Sequence, residues 1–276
     1  MRSGPGFPLL PYAELPSALA PVHTYAKFLG QVRRALTPSQ KHWYHASLRI
    51  AVNGLTTTPI PAPGFTFDML LDLVRHELVI TTSRGDQMRR ALQGQPAQEF
   101  CDVGLGLLEG MGITPEIDRT LFADPTEYVY AAEPIQTYFR ALVQTDTVLK
   151  EFKSGLREET GPVQFWPHHF DLAVLWFSGR LVPGTDPADP EYADEQMNFG
   201  FSPGDESIPN PYFYATAYPT PDGLTDVELP AGAYWYTEGW TGAVMTYESV
   251  LSSDDPTGAL LSFLRTVQNA GATLMV

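Results

Sequence analysis

The residues best suited to chemistry lie in one short run, Phe165-Trp166-Pro167-His168-His169-Phe170-Asp171-Leu172. Read as part of a single strand from Gln164 to Phe177, the run sends alternate side chains to opposite faces. His169 and Asp171 then share a face with Ala173, while Trp166, His168, Phe170 and Leu172 share the other. An imidazole two residues from a carboxylate suits two chemistries. In the first, His168 or His169 is a general base, Asp171 orients it, and Arg180 clamps an anionic group. In the second, His169 and Asp171 are two ligands of a divalent metal ion, with Glu195 as the third. Asp194 or His45 could serve in its place if the fold brings them close. Against both stands a plain reading. Histidines beside aromatic residues are often buried and hydrogen-bonded, and Asp171 can cap a turn or pair with Arg180.

Other clusters carry less. His42-Trp43-Tyr44-His45 opens a strand read from His42 to Val52, which places His45, Ser47 and Arg49 on one face. A strand with one wet side explains that pattern better than a ligand set. Tyr212, Phe213, Tyr214, Tyr218, Tyr234, Trp235, Tyr236 and Trp240 crowd an acidic stretch. Such rings beside carboxylates could line a pocket for a cationic or sugar-like ligand. A sheet core with tyrosine hydroxyls at its rim is the plainer account, because aromatics are good strand formers. Gly200-Phe201-Ser202-Pro203-Gly204 matches the pattern of a nucleophile elbow, but the sequence after it cannot form a long helix. Pro203 also has no N–H to give an oxyanion hole. Gly104-Leu105-Gly106 starts like a dinucleotide fingerprint, but its third glycine comes one residue late, at Gly110, inside a helical pattern. Phosphate-loop and His-Glu-x-x-His motifs do not occur in the sequence. Cys101 has apolar helix neighbours and reads as core filler.

Four helices are expected to position these residues. They run from Pro21 to Leu36, from Pro96 to Met111, from Pro134 to Leu156, and from Pro256, capped by Asp255, to Leu274. Strands fill the gaps. Phe65 to Leu73 alternates apolar and polar residues, turns at Arg75-His76-Glu77, and returns over Leu78 to Thr82 as a hairpin. Tyr212–Tyr218, Ala233–Thr237 and Ala243–Tyr247 also read as strands. Nine prolines between Pro183 and Pro230 mark that stretch as loop-rich, with short strands at most. Thr24-Tyr25-Ala26-Lys27-Phe28-Leu29-Gly30-Gln31 resembles Thr137-Tyr138-Phe139-Arg140-Ala141-Leu142-Val143-Gln144. Each is followed by Trp-x-His, at Trp43 and at Trp166. The chain thus reads as an α+β protein of antiparallel sheets flanked by about four main helices. Its two similar helix–sheet–helix halves are expected at 1–132 and 133–276, closely packed or forming one domain.

The charge is uneven. The formal net charge is −15. Residues 1–157 hold 15 of the 17 Lys and Arg and 15 of the 32 Asp and Glu. Residues 158–276 hold only Arg180 and Arg265 against the other 17 acids. An acidic chain of this kind does not coat nucleic acid. One cysteine excludes a disulfide scaffold and a cysteine-based metal site. No apolar run reaches the roughly 18–20 residues of a membrane span, and the proline-rich start is no signal peptide. The expectation is a soluble, cytoplasmic protein.

Several motifs carry a wider resemblance. Phe170-Asp171-Leu172-Ala173-Val174 with Phe177-Ser178-Gly179-Arg180 is one. Gly200-Phe201-Ser202-Pro203-Gly204-Asp205 and Tyr214-Ala215-Thr216-Ala217-Tyr218-Pro219 are two more. With His42-Trp43, Leu55–Pro61 and Val148–Phe152, they resemble a bacterial family of uncharacterised proteins known only as a domain of unknown function, over about residues 20–272. The resemblance implies no reaction. The residues themselves favour a pocket protein, a small-molecule binder or a hydrolase-like enzyme, with its His/Asp site on the 164–180 strand. The alternative is an acidic interaction protein whose C-terminal half binds a basic partner.

Overall fold

The computed structural model describes residues 6–275. The fold is α+β, with two antiparallel sheets and flanking helices. The chain divides into two compact units. The N-terminal unit comprises Leu10–Phe139 and Phe165–Phe170. The C-terminal unit comprises, among the described residues, 6–9, Arg140–Gln164 and 171–275. The division falls inside a long helix rather than in the loop ahead of it.

The N-terminal unit begins with α1 (Leu15–Leu36). This helix starts earlier than Pro21, the start read from the sequence. Pro16 already occupies its first turn, and Leu15, Ala18, Leu19 and Val22 are all buried. That burial outweighs the backbone bond Pro21 cannot make inside the helix. Residues Lys41–Ala46 form a 3₁₀ segment where a strand was expected. His42 and Trp43 there adopt left-handed φ of 53° and 56°, which no strand can contain. The sheet follows: β1 (Arg49–Ile50), β2 (Gly54–Thr56), β3 (Ile60–Ala62), β4 (Phe65–Asp72), β5 (Glu77–Thr82) and β6 (Gln87–Ala91). Its order is β1-β2-β4-β5-β6, with β3 also on β4. The expected β4–β5 hairpin is present. Its turn is held by the buried Asp72 carboxylate, which accepts from the N–H groups of Val74 (3.0 Å) and Arg75 (2.7 Å) and from the Asn53 amide. Helix α2 (Ala97–Gly110) closes the run.

Helix α3 (Ala132–Ser154) leads to the second sheet: β7 (Gln164–Trp166), β8 (Asp171–Leu181), β9 (Asp194–Ser202), β10 (Tyr212–Tyr218), β11 (Ala233–Tyr236) and β12 (Gly242–Thr246). Helices α4 (Tyr247–Leu251) and α5 (Pro256–Leu274) follow. The strand order is β11-β12-β10-β9-β8-β7. Asp255 caps α5 by accepting from the Gly258 N–H at 3.0 Å, as its position before Pro256 predicts.

Alternation gives the second sheet two distinct faces. Leu172, Val174 and Trp176 of β8, Met197, Phe199 and Phe201 of β9, and Phe213 and Ala215 of β10 are buried on one of them. Phe152 of α3 meets Phe199 edge-on at 4.9 Å, and α5 passes so close that a Cβ at Gly271 would strike Met197. This face is the core. The other face carries Asp171, Ala173, Asn198, Gly200, Ser202, Tyr212, Tyr214, Gly242 and Val244.

Candidate functional site

The second, polar–aromatic face of the C-terminal sheet gathers the chemistry. Tyr214 on β10 lies directly opposite Gly200 on β9, which lies opposite Ala173 on β8. A Cβ at position 200 would overlap the Tyr214 ring and hydroxyl. Glycine there lets the phenol lie across β9 and donate its hydrogen to the carboxylate of Asp171 on β8. Burial first, then the charge of Asp171, raises the Tyr214 pKa well above the ordinary phenol value. The phenol therefore stays protonated and keeps donating. The Asn198 amide reaches the same hydroxyl from Nδ2 at 3.4 Å.

Two residues back along β10, on the same face, Tyr212 donates to Asp205 at 2.6 Å. Burial, then Asp205, raises its pKa too. Tyr212, Val244 and Ile208 form a small buried cluster against which Tyr214, Tyr236 and Trp240 pack. The Trp240 ring lies 24° from parallel with Tyr212 at 6.5 Å and 4.8 Å from Tyr236. Gly242 repeats the device of Gly200, since a Cβ there would strike the Trp240 ring. Two glycines thus let two aromatic side chains lie flat on the sheet.

The oxygens of Asn198 and Gln196 face the same side of β9. Each has its side-chain O buried without a hydrogen-bond partner among the described residues. Such groups are rare in folded proteins and usually mark a place where a water or ligand donates.

The residues singled out from the sequence are not gathered into one site. The single 164–177 strand is two strands, β7 and β8, separated by a turn over Pro167–Phe170. Phe170 has φ 61°, so the alternation that placed His169 and Asp171 on one face is interrupted between them. His168 and His169 are exposed in the turn, with ring centroids 4.3 Å apart, and the His168 carbonyl lies 3.2 Å from His23 Nε2. Asp171 is buried at the start of β8. Arg180 stands nine residues along β8, which at about 3.3 Å per residue is the far end of the strand. It pairs there with Glu195 at 2.8 Å, and Glu195 also accepts from Ser178. Glu195 therefore serves the loop end of the β8–β9 hairpin, and neither it nor Arg180 joins Asp171. Among the described residues, no group of three or more His, Cys, Asp or Glu is placed to hold a metal ion. His45 is buried in the 3₁₀ segment with its ring 5.6 Å from that of Trp43. Ser202 lies in β9 and is followed by a loop, not a helix, as its rejection as a nucleophile required.

Sequence reasoning missed Asn198 and the role of Gly200, because it missed β9. The signal was there. Met197, Phe199 and Phe201 alternate with Asn198, Gly200 and Ser202, but the surrounding prolines masked it.

The sequence profile of a family of unknown function matches residues 7–276, nearly the whole chain. The chain belongs to the DUF5996 family. No curated protein and no solved structure matches. In this DUF5996 chain, three of the motifs that carried the sequence resemblance supply one face, with Asp171 from the first, Gly200, Ser202 and Asp205 from the second, and Tyr214 from the third. None of the helices among the described residues is long and apolar enough to cross a membrane.

Proposed function

We propose that the protein binds a small hydroxyl-bearing molecule, sugar-like in chemistry, on the polar–aromatic face of its C-terminal sheet. Flat rings at Tyr212, Tyr236 and Trp240 suit the apolar face of such a ligand. The observation that carries the reading is the pair of buried side-chain oxygens at Asn198 and Gln196, unpartnered among the described residues, the Asn198 amide lying beside the Tyr214 hydroxyl. Oxygens of this kind accept from hydroxyl groups, and a ligand that donates to them removes the cost of leaving them unpaired. Of the original site residues, only Asp171 belongs to this face. Its part is to hold Tyr214.

A thermal-shift and saturation-transfer screen of monosaccharides and small polyols tests this. Binding by the wild type that is lost in Asn198→Leu and in Trp240→Ala supports it. A screen with no hits, or hits that both variants retain, removes it.

A second reading rests on charge. Glu206, Asp222, Asp226, Glu228, Glu238, Glu248, Asp254 and Asp255 are all exposed in the half that holds the acidic surplus. This surface suits a basic partner. Association would weaken strongly between about 0.05 M and about 0.5 M salt, as screening shortens the reach of charge. Partners captured equally at both concentrations would count against it.

A further inference from the structure

A separate polar centre lies in the N-terminal unit, at the junction of α1 and the Lys41–Ala46 segment. Arg33 of α1 is only 7% exposed. Its Nη1 donates to the Tyr44 carbonyl at 2.9 Å, to the Ser47 carbonyl, and to the Ser47 hydroxyl at 3.2 Å. These bonds fasten the segment to the helix and use one arm of the guanidinium. The Nε on the other edge is buried and has no partner among the described residues. Nε–H and the adjacent Nη2–H are the parallel pair with which arginine grips an oxyanion at two points. The anchoring arm is therefore occupied and the gripping edge is not.

None of the hydrogen bonds of Arg33 goes to a carboxylate. Burial, then the positive charge of Arg49, brings its pKa down to about 10. Arg34, the next residue, holds its guanidinium 5.0 Å from the centroid of the exposed Trp43 ring. His45 stacks against Trp43 as well, at 26°. The Gln40 N–H donates to His45 Nδ1 at 3.1 Å, so the neutral ring carries its proton on Nε2 and presents a further donor. Burial, then Arg34 and Arg33, lowers the His45 pKa. His42 and Trp43 hold the left-handed backbone that non-glycine residues adopt mostly where the surroundings impose it, often beside ligands.

We propose that Arg33, Arg34 and His45 form a binding site for a phosphate-type oxyanion, gripped by the Nε edge of Arg33 with Arg34 and the His45 Nε2–H beside it. Trp43 offers an exposed aromatic surface next to that anion, which a phosphate monoester with a planar group could use and free phosphate could not.

Calorimetric titration at constant ionic strength tests the site with inorganic phosphate and with phenyl phosphate. Inorganic phosphate is expected to bind saturably. Arg33→Lys keeps the charge but loses the fork and should weaken binding about tenfold, the equivalent of one good charge-assisted contact. Arg34→Gln, at an exposed position, should weaken it as well, while Arg265→Gln, exposed on α5, should leave it unchanged. Circular dichroism checks that Arg33→Lys is folded; if it is not, Arg34→Gln decides alone. Tighter binding of phenyl phosphate assigns the site to a monoester, and equal binding assigns it to phosphate itself. The absence of saturable heat with either anion, or wild-type affinity in the folded variants, overturns the proposal.

Discussion

At the scale of single residues, the second sheet depends on two glycines and a tyrosine. Gly200→Ala would push a methyl group into the Tyr214 ring and break its hold on Asp171. A loss of about 2 kcal/mol is expected, within the usual cost of overpacking, read from urea unfolding. Tyr214→Phe is gentler in shape but takes the phenol donor from a buried carboxylate. A loss of about 1–3 kcal/mol is expected by the same measurement. His23 sets a pH dependence. Burial, then Lys27, lowers its pKa from 6.5 to about 4, although the backbone carbonyls of His168 and Pro167 pull it upward. Below 6.5 the unfolded chain takes up a proton that the folded chain refuses until about pH 4. Stability therefore falls as pH drops through that window. His45 and His76 are shifted downward by burial too and act with the same sign. Urea midpoints at about pH 7 and about pH 5 should fall more in the wild type than in His23→Gln.

At the scale of elements, local sequence rules explain the helix and hairpin ends. Asp255→Ala removes the α5 cap and should cost about 1 kcal/mol in thermal unfolding. Asp72→Ala should cost more, about 2–3 kcal/mol, since two backbone N–H groups of the β4–β5 turn and the Asn53 amide lose their acceptor. The Arg180–Glu195 pair closes an exposed hairpin end, so breaking it should change stability by less than about 1 kcal/mol.

At the scale of the molecule, charge dominates. A formal net charge of −15 on one chain repels itself. Raising salt from about 0.02 M to about 0.5 M shortens the screening length to about 4 Å and should raise the melting temperature. An unchanged or lower melting temperature would mean that the acids already sit beside compensating cations. At this scale the chain forms two compact units. Each unit joins helices to an antiparallel sheet built mainly of sequence neighbours, although the Trp-x-His segments that suggested the repeat start no strand in either half.

How much of this was legible depended on the range of the forces involved. Helix stripes, the Asp255 cap, the β4–β5 hairpin and the strand over Tyr212–Tyr218 follow from periodicity and from residues within a few positions of one another. Those parts were readable, and so was the fold class. Helix α1 begins at Leu15, not at Pro21, because distant apolar contacts extended the helix beyond what local rules allow. The His169–Asp171 pairing failed at one backbone angle, the positive φ of Phe170, which alternation cannot foresee in a non-glycine residue. By itself, the sequence determined the α+β class, the family motifs and the lopsided charge, since each is a property of composition or of near neighbours. Only the tertiary structure decided which residues meet. Tyr214, Gly200 and Asp171 stand on three strands and come together through sheet register, and register is set by long-range pairing that no local pattern contains.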